Sequence, residues 1–277
     1  MNSLQTPKRK TWLRWLNIAL VVYLLGGISV YWLQDRLMFH PETLPINKPY
    51  DFSAPHREIN MPMDEKTSIN IVQFLTSDSL PKGIVLYFHG NRKNIAWYAP
   101  YASNFTKRGY EVWMMDYPGF GKSTGILSEQ NLYDAAAQLY IMAHSKFAAN
   151  HIIIYGKSLG TGIASWLASK RTAQQLILET PYYSMISLAK QYLPIYPINT
   201  LIRFKLPVYK YLGLVNAPVT IFHGTSDKVI PYRNAERLMA VIQPKDNFIT
   251  IEHGGHNDLN TFPIFHEKLD SLLAVSY

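Results

Sequence analysis

The 277-residue sequence contains no cysteine. Disulfides, thiolate metal sites, cysteine nucleophiles and lipid attachment through cysteine are therefore excluded. Charged residues are scarce, at 17%, whereas apolar residues make up 48%. This balance is typical of an ordered protein with a sizeable core, and there is no low-complexity tract or internal repeat. The length fits one large domain with an extension and is short for two independent domains.

A concentrated basic surface is also missing, although the formal net charge is +8. Residues 1–57 hold seven Lys/Arg and three Asp/Glu, so about half of the excess charge lies in the N-terminal part of the chain, largely outside the main domain. The rest of the chain has no stripe of basic residues interleaved with aromatics, the pattern typical of nucleic-acid binding. We therefore predict no nucleic-acid partner.

The sequence has one long apolar run, Trp15–Leu33, which carries no charged residue. At about 1.5 Å per helical residue it spans roughly 28 Å, close to the hydrocarbon core of a bilayer. Four basic residues precede it: Lys8, Arg9, Lys10 and Arg14. Asp35 and Arg36 cancel each other just after it, so the charge bias predicts a cytoplasmic N-terminus and a domain on the periplasmic, lumenal or extracellular side. We predict a basic tail over residues 1–14 and a transmembrane anchor over residues 15–33.

A cleaved signal peptide is the alternative interpretation of this run. Such a peptide has a shorter apolar region that ends in small residues of the Ala-x-Ala type. The segment Gly26–Ser29 matches that pattern poorly, and the apolar run continues beyond it to Leu33. The sequence therefore favours an uncleaved signal anchor in a single-pass membrane protein.

Proline and polar residues dominate 34–55, which predicts a linker before one domain over 56–277. In that domain, short apolar runs alternate with segments of helical length. Eight runs are predicted to be strands, over residues 59–63, 69–75, 84–88, 112–115, 152–155, 176–178, 219–222 and 248–251. Helices are predicted over residues 94–108, 129–145, 159–170, 232–242 and 257–275. This alternation predicts an α/β fold with a mostly parallel sheet of about eight strands and helices on both faces.

One predicted strand ends in the pentapeptide Gly156-Lys157-Ser158-Leu159-Gly160, and a helix-like segment follows it. Strand, Gly-x-Ser-x-Gly and helix in this order are the sequence form of a nucleophile elbow, which lifts a serine hydroxyl clear of the backbone. A second pentapeptide, Gly121-Lys122-Ser123-Thr124-Gly125, lacks both the adjacent strand and the adjacent helix. We therefore predict Ser158 as the nucleophile. Neither pentapeptide has the additional upstream glycine of a phosphate-binding loop.

A serine nucleophile needs a base to remove its proton and an acid to orient that base. Asp227 follows the predicted strand 219–222, and His256 follows the strand 248–251 and the pair Gly254-Gly255. Their chain order, Ser…Asp…His, is the order expected for this type of elbow. Glu179 is the alternative acid and His253 the alternative base, because each also stands at a strand end.

A tetrahedral oxyanion needs hydrogen-bond donors. The backbone N–H of Leu159, the residue after the nucleophile, is one predicted donor. The second is expected from the loop after the strand 84–88, with the N–H of Asn91 preferred and that of Arg92 as the next choice. His89 is predicted to hold this loop together rather than to react.

Five ordered motifs resemble those of the α/β-hydrolase superfamily. They are His89-Gly90-Asn91, Asp116–Gly121, Gly156–Gly160, His223–Asp227 and Gly255-His256-Asn257-Asp258. The set is most similar to the membrane-anchored alpha/beta-hydrolase-domain serine hydrolases, which are often labelled serine aminopeptidase-like. The resemblance spans about residues 56–275 and implies Ser158, Asp227 and His256 as the triad. It also implies oxyanion support at Asn91 and neither a metal nor an organic cofactor. Pro118 and the basic pair Arg92-Lys93 depart from the usual pattern.

Residues 181–217 are predicted to form a small helical cap over the site. The segment contains no Asp or Glu, four basic residues and many large apolar groups. We expect substrate contacts from Tyr182 and Tyr183 of the cap and from Arg92, in a pocket suited to an acyl chain, with a basic outer face toward anionic lipid headgroups. The alternative is that the apolar groups only pack the cap onto the domain.

These observations predict a serine hydrolase that cleaves carboxylic esters or thioesters of hydrophobic, lipid-like substrates through an acyl-enzyme. A serine peptidase of the aminopeptidase-like type is the close alternative, because amide hydrolysis uses the same groups. A non-catalytic, membrane-tethered binding module is a third hypothesis.

Overall fold

The computed structural model describes residues 8–274, with side chains from residue 11 onward. It begins with helix α1, Lys8–Met38, which contains the apolar run and extends past both of its predicted ends. The segment Thr11–Met38 is long and apolar enough to cross a membrane, and its apolar window is not buried against the rest of the protein. Most of the predicted basic tail, residues 1–7, lies outside the described residues.

An eight-stranded sheet forms the centre of the domain. Its strands in chain order are β2 (His56–Pro62), β3 (Ser68–Phe74), β4 (Gly83–Phe88), β6 (Tyr110–Met115), β7 (Ile152–Lys157), β8 (Gln175–Glu179), β9 (Val219–Gly224) and β10 (Asn247–Ile251). Their spatial order is β10-β9-β8-β7-β4-β6-β3-β2. The β2–β3 and β3–β6 pairs are antiparallel and the other pairs are parallel. The predicted fold class is confirmed.

The central strands are buried along their whole length. Every residue of β4, β7 and β8 is buried, because helices cover both faces of the sheet. Two apolar clusters result, one on each face, around Leu86 and Ile154 on one side and Tyr87 and Phe222 on the other. Continuous β-branched runs such as Ile152-Ile153-Ile154 suit this double burial. The parallel register aligns the ends of β7, β8 and β9 at one edge of the sheet.

The remaining helices differ in how closely they follow the sequence prediction. They are α2 (Ile95–Tyr98), α3 (Ser103–Thr106), α4 (Glu129–His144), α5 (Gly160–Lys170), α6 (Met185–Tyr192), α7 (Ile198–Leu201), α8 (Val208–Leu212), α9 (Tyr232–Glu236) and α10 (Pro263–Ala274). The Ser128 hydroxyl caps α4 by accepting from the N–H of Asn131 at 3.1 Å. The single helix expected over 94–108 is instead α2 and α3 joined by a 3₁₀ turn that contains Pro100. The last helix begins at Pro263 rather than at Asn257, as expected of a proline at the first helical position.

Residues 34–55, predicted to be a linker, pack along the domain. His40–Pro41 forms a short strand, β1, which pairs in parallel with β5, Arg92–Lys93. The Leu44 N–H donates to the Gly121 carbonyl at 2.7 Å, and the buried Tyr50 hydroxyl donates to Asp116 at 3.0 Å. The chain that leaves α1 therefore runs directly over the loop that was predicted to hold the oxyanion.

Candidate active site

Ser158 lies between β7 and α5 at the carboxyl edge of the sheet, with a positive φ of 51°. This conformation is strained for a residue with a side chain, and it is the conformation that a sharp strand-to-helix turn requires. The two glycines that flank Ser158 are packed too closely for a side chain. A Cβ at Gly160 would lie 2.0 Å from the Phe88 carbonyl oxygen, and one at Gly156 would lie 2.6 Å from the Gly160 carbonyl oxygen. The two glycines are therefore steric requirements of the elbow.

The structure brings Ser158, His256 and Asp227 into one chain of hydrogen bonds. The Nε2 atom of His256 lies 2.9 Å from the Ser158 Oγ, and its Nδ1 atom lies 2.7 Å from Oδ2 of Asp227. An ionised carboxylate only accepts hydrogen bonds, so Nδ1 donates to Asp227. In the neutral imidazole, Nε2 then accepts from the serine hydroxyl. This arrangement can carry the serine proton to the imidazole and stabilise the resulting positive charge.

Asp227 is buried and held in place from several sides. Its Oδ1 accepts from the N–H groups of Val229 and Ile230, both at 2.8 Å. Burial by itself raises the pKa of Asp227, but the hydrogen bond from His256, the electrostatic attraction of its ring and the N–H of Ile230 outweigh burial and leave the pKa below its ordinary value. The carboxylate therefore stays ionised at neutral pH, as an orienting group for the imidazole must.

His223, which sequence reasoning treated only as part of a motif, lies directly under this acid. Its Nε2 is 3.5 Å from Oδ2 of Asp227 and 2.9 Å from the Ile230 carbonyl oxygen. Burial lowers the pKa of His223, and the nearby Asp227 only partly opposes that shift. A neutral imidazole that donates to the Ile230 carbonyl fixes the loop carrying Asp227. The position directly after the strand 219–222 was the only sequence signal for this role.

The alternative acid and base lie elsewhere. The Glu179 carboxylate is fully buried and bonds to the Lys157 ammonium and the Tyr155 hydroxyl. His253 is exposed, with a positive φ of 61°, in the turn that follows β10. Neither contacts the Ser158 hydroxyl.

The two segments that carry the predicted oxyanion donors lie beside Ser158. Leu159 precedes the first residue of α5, and Gly90 is close enough to Ser158 that an added Cβ would lie 3.7 Å from the serine Cβ. Within residues 8–274, the N–H groups of Leu159 and Asn91 donate to no other residue. The other polar groups of Asn91 are engaged, since its carbonyl accepts from the His40 N–H at 2.9 Å and its side-chain amide donates to the Met38 carbonyl.

The loop before Asn91 is held from within the domain. The His89 imidazole is buried, donates through Nδ1 to the Gly90 carbonyl at 2.8 Å and stacks on the Tyr98 ring. The Tyr117 hydroxyl donates to the His89 carbonyl at 2.6 Å. These contacts agree with a holding role for His89. Tyr98, which sequence reasoning missed, points its hydroxyl toward Gly90, and burial raises the pKa of this phenol to about 12, so the phenol stays neutral.

The three residues expected to contact substrate have different environments. Tyr182 is fully buried and donates to the Leu159 carbonyl at 3.1 Å, so the structure assigns it to packing beneath the elbow instead of to substrate contact. Tyr183 is half-buried, stacks on Tyr209 at 4.4 Å and lines a cap cavity of about 540 Å³. Arg92 is exposed on β5. Contacts of Tyr183 and Arg92 with a substrate stay predictions.

Known proteins share sequence and fold similarity with this chain. Residues 79–208 match the family described as serine aminopeptidase, S33. An uncharacterized protein of Mycobacterium tuberculosis is 27% identical over 245 residues, with 87% of each chain covered. Alpha/beta hydrolase domain-containing protein 17B of Xenopus laevis is 28% identical over 198 residues, which are 70% of this chain and 67% of that protein. An esterase from Pyrococcus furiosus superposes with a TM-score of 0.66 at 15% identity, over 86% of this chain and 97% of that one.

The chain has the α/β-hydrolase fold. The resemblance inferred from the five motifs is thereby confirmed at this level. The family match covers less than half of this α/β-hydrolase and ends at residue 208, before Asp227 and His256. The roles of these two residues therefore depend on the geometry at the sheet edge.

Proposed function

We propose that this α/β-hydrolase is a serine hydrolase of carboxylic esters or thioesters with hydrophobic acyl groups. The observation that carries the proposal is the continuous hydrogen-bonded relay from the Ser158 hydroxyl through His256 to Asp227. A serine at positive φ on an elbow, an imidazole with a free acceptor nitrogen and an ionised, buried acid are the three parts that acyl transfer needs.

In the proposed reaction, the Ser158 Oγ attacks the carbonyl carbon of the substrate while Nε2 of His256 takes the serine proton. The N–H groups of Leu159 and Asn91 donate to the oxyanion of the tetrahedral intermediate, each supplying about 3–4 kcal/mol. The intermediate collapses when the C–O or C–S bond breaks, and His256 returns the proton to the leaving alcohol or thiol. Water, deprotonated by His256, then attacks the acyl-enzyme and releases the acid and the free Ser158 hydroxyl.

The preference for hydrophobic esters has two supports. The cap over the site carries many aromatic and aliphatic residues and no acidic residue between Pro181 and Ala217. Helix α1 is long and apolar enough to hold the domain at a membrane, where esters of fatty acids are concentrated. Amide cleavage is the second candidate, favoured by the match to the family described as serine aminopeptidase.

The test is a fluorophosphonate probe followed by a substrate panel on the full-length protein in detergent micelles. We expect the adduct on Ser158 by mass spectrometry, and faster cleavage of p-nitrophenyl esters than of aminoacyl amides. Higher activity on the amides would establish the peptidase instead. A folded protein that neither reacts with the probe nor cleaves any substrate, and whose Ser158→Ala variant has the same cellular phenotype as the parent, would be a binding module.

We also propose that α1 is an uncleaved anchor, with its N-terminus in the cytoplasm and the hydrolase domain on the opposite side. Because the chain has no cysteine, a single Leu80→Cys substitution on an exposed loop supplies a unique label site. A membrane-impermeant maleimide added to intact cells should label it. Labelling only after the cells are lysed would reverse the proposed orientation.

A further inference from the structure

Helix α1 contacts the cap deep within its apolar run. The Tyr23 ring stacks on the Tyr196 ring, with centroids 5.0 Å apart and planes within 11°. The Tyr23 hydroxyl donates to the Ile195 carbonyl at 3.1 Å. One turn along the helix, Gly26 makes room for the Tyr196 hydroxyl, because a Cβ there would lie 2.0 Å from that oxygen. The tip of the cap and the middle of α1 therefore fit together.

A second, polar contact joins the same two elements near the end of α1. The buried Gln34 side chain donates to the Leu201 carbonyl at 3.0 Å and accepts from the Arg203 N–H at 2.7 Å. The Arg203 guanidinium then pairs with Asp35 at 2.8 Å. With a contact at each end, the cap segment 195–203 lies along α1 in a fixed register.

This register sets the depth of the cap in a bilayer. Arg14 on one side and Asp35 and Arg36 on the other leave only residues 15–33 for the hydrocarbon core. Tyr23 lies eleven residues before Gln34, or roughly 16 Å along a helix axis. That distance is about half of a hydrocarbon core of about 30 Å. The cap residues that contact Tyr23 must then lie well below the membrane surface on the non-cytoplasmic side.

The chemistry of the cap tip suits that depth. The twelve residues between Lys190 and Arg203 carry no charge, and the tip presents apolar surface outward, with Ile195 exposed to 69% and Tyr192 to 58%. The Tyr192 hydroxyl is paired, since it donates to the Val229 carbonyl at 2.8 Å. Exposed apolar side chains beside a membrane-spanning helix are unfavourable in water and favourable in lipid.

Most N–H groups of the tip backbone need no water as a hydrogen-bond partner. An unpaired N–H or C=O group in hydrocarbon costs several kcal/mol. Pro194 and Pro197 have no N–H to satisfy, and the N–H groups of Leu193, Tyr196 and Ile198 donate within the segment or to α6. Tyr23 satisfies the Ile195 carbonyl. Among the described residues, the Ile195 N–H and the carbonyls of Tyr192 and Pro194 are the exceptions.

We propose that the cap tip, residues 192–198, is immersed in the non-cytoplasmic leaflet of the membrane and is held there by its contact with α1. This inference depends on the proposed anchor and is independent of the proposed chemistry at Ser158. The cap joins the elbow directly, because Tyr182 bonds to the Leu159 carbonyl. A lipid-like acyl substrate therefore meets the cap within the leaflet, before it has to enter water.

The test measures the depth of spin labels on the full chain in phosphatidylcholine vesicles. The cysteine-free sequence allows single labels at Ile195→Cys, at Leu20→Cys on α1 and at Leu80→Cys on an exposed loop. Collisions with oxygen report lipid, whereas collisions with a water-soluble nickel chelate report water. We expect the label at 195 to favour oxygen, as the label at 20 does, and the label at 80 to favour nickel.

Two outcomes would overturn the inference, and they are distinguishable. If the label at 195 favours nickel while the label at 20 favours oxygen, the anchor spans the membrane but the cap remains in water. If the labels at 195 and 20 both favour nickel, the proposed anchor itself is wrong. Neither result depends on hydrolytic activity.

A docking variant tests whether α1 sets the depth. Gly26→Leu places a side chain where the Tyr196 hydroxyl lies, and Val22→Leu, at an exposed position of α1, is the matched control. We expect the label at 195 to lose part of its preference for oxygen in Gly26→Leu and to keep it in Val22→Leu. An unchanged label in Gly26→Leu would show that the contact with α1 does not hold the tip.

Discussion

The two Gly-Lys-Ser-x-Gly pentapeptides have nearly the same sequence but differ in backbone conformation and in the contacts of their serine hydroxyls. At the elbow, Ser158 has a positive φ and its hydroxyl contacts His256. In the second pentapeptide the glycines have the positive φ angles, 49° at Gly121 and 104° at Gly125. The Ser123 hydroxyl there accepts from the Asn70 N–H and donates to the Asp116 carbonyl, so it is fully used in holding a loop.

The lysines of the two pentapeptides, Lys157 and Lys122, can be compared in the same way. Lys157 and Lys122 are both buried, each pairs with a glutamate and each lies over a tyrosine ring, Tyr101 and Tyr50 respectively. The partners differ in exposure, because the Glu179 side chain is 1% exposed and the Glu58 side chain is 25% exposed. The same local pattern therefore pairs a buried lysine with a glutamate at both places, and only the surrounding elements decide which serine hydroxyl contacts a histidine.

The largest expected effect separates the two serines. Ser158→Ala should lower kcat on a p-nitrophenyl ester by a factor on the order of 10⁶, as loss of a nucleophile does in other triad enzymes. Ser123→Ala should keep kcat but lose about 1–3 kcal/mol of unfolding free energy, because the Asn70 N–H becomes unpaired. Ester kinetics and urea denaturation of both variants measure this. A comparable loss of kcat in stable Ser123→Ala would contradict the assignment.

Removing the orienting charge should make Ser158 nearly as unreactive as Ser123. In Asp227→Asn the amide cannot hold the imidazole in the same tautomer, and we expect kcat to fall about 10⁴-fold. The rate of fluorophosphonate labelling at Ser158 should fall with it. Asp134→Asn, on the exposed face of α4, is the matched control and should leave both rates unchanged. Retained labelling in Asp227→Asn would assign the orienting role to another group.

The two ion pairs should differ in stability. Lys157→Met leaves Glu179 buried without its cation, and the unfolding free energy should fall by about 3–5 kcal/mol. Lys122→Met leaves the partly hydrated Glu58, which still accepts from the Asn70 side chain, and a loss of about 1–3 kcal/mol is expected. Thermal and urea denaturation measure both. Equal losses would mean that exposure of the glutamate does not decide the cost.

The smallest expected effect is the pH dependence of the contribution that Asp227 makes to the free energy of unfolding. The pKa of Asp227 is below its ordinary value of 3.8, so the folded state binds the proton more weakly than the unfolded state. This contribution is fully present above about pH 5 and is lost as the pH falls through 3.8 and below. The difference in unfolding free energy between the parent and Asp227→Asn should shrink over that range. A difference that is constant with pH would contradict the shifted pKa.

Much of the fold could be predicted from the sequence. Continuous β-branched runs such as Ile152-Ile153-Ile154 have few alternatives to a buried strand, and the eight predicted strands all form. Helix α4 was also predictable, because Ser128 marks its start. The break at Pro100 and the packed course of residues 39–55 were not predicted, since both depend on surfaces contributed by distant parts of the chain.

The candidate site also has residues that the sequence could predict and residues that it could not. Strand–turn–helix context alone separated Ser158 from Ser123. Its place in a loop after a strand favoured Asp227, and the position after Gly254-Gly255 favoured His256. Tyr182 was expected to contact substrate but lies under the elbow, because composition shows that an aromatic residue is in the cap and does not show which way it faces. The role of Tyr98 had no sequence signal and that of His223 had only its position after a strand, because each depends on how a nearby loop folds against the side chain.

The sequence by itself determined the local features: an apolar run of membrane length, the strands, and an elbow that only glycines at 156 and 160 permit. These follow from side-chain size, branching and polarity along neighbouring residues. Only the tertiary structure decided which hydroxyl meets His256 and that the cap tip lies against the middle of α1. Such contacts join residues about a hundred or more positions apart, and their geometry is fixed by the register of the sheet and the packing of the cap.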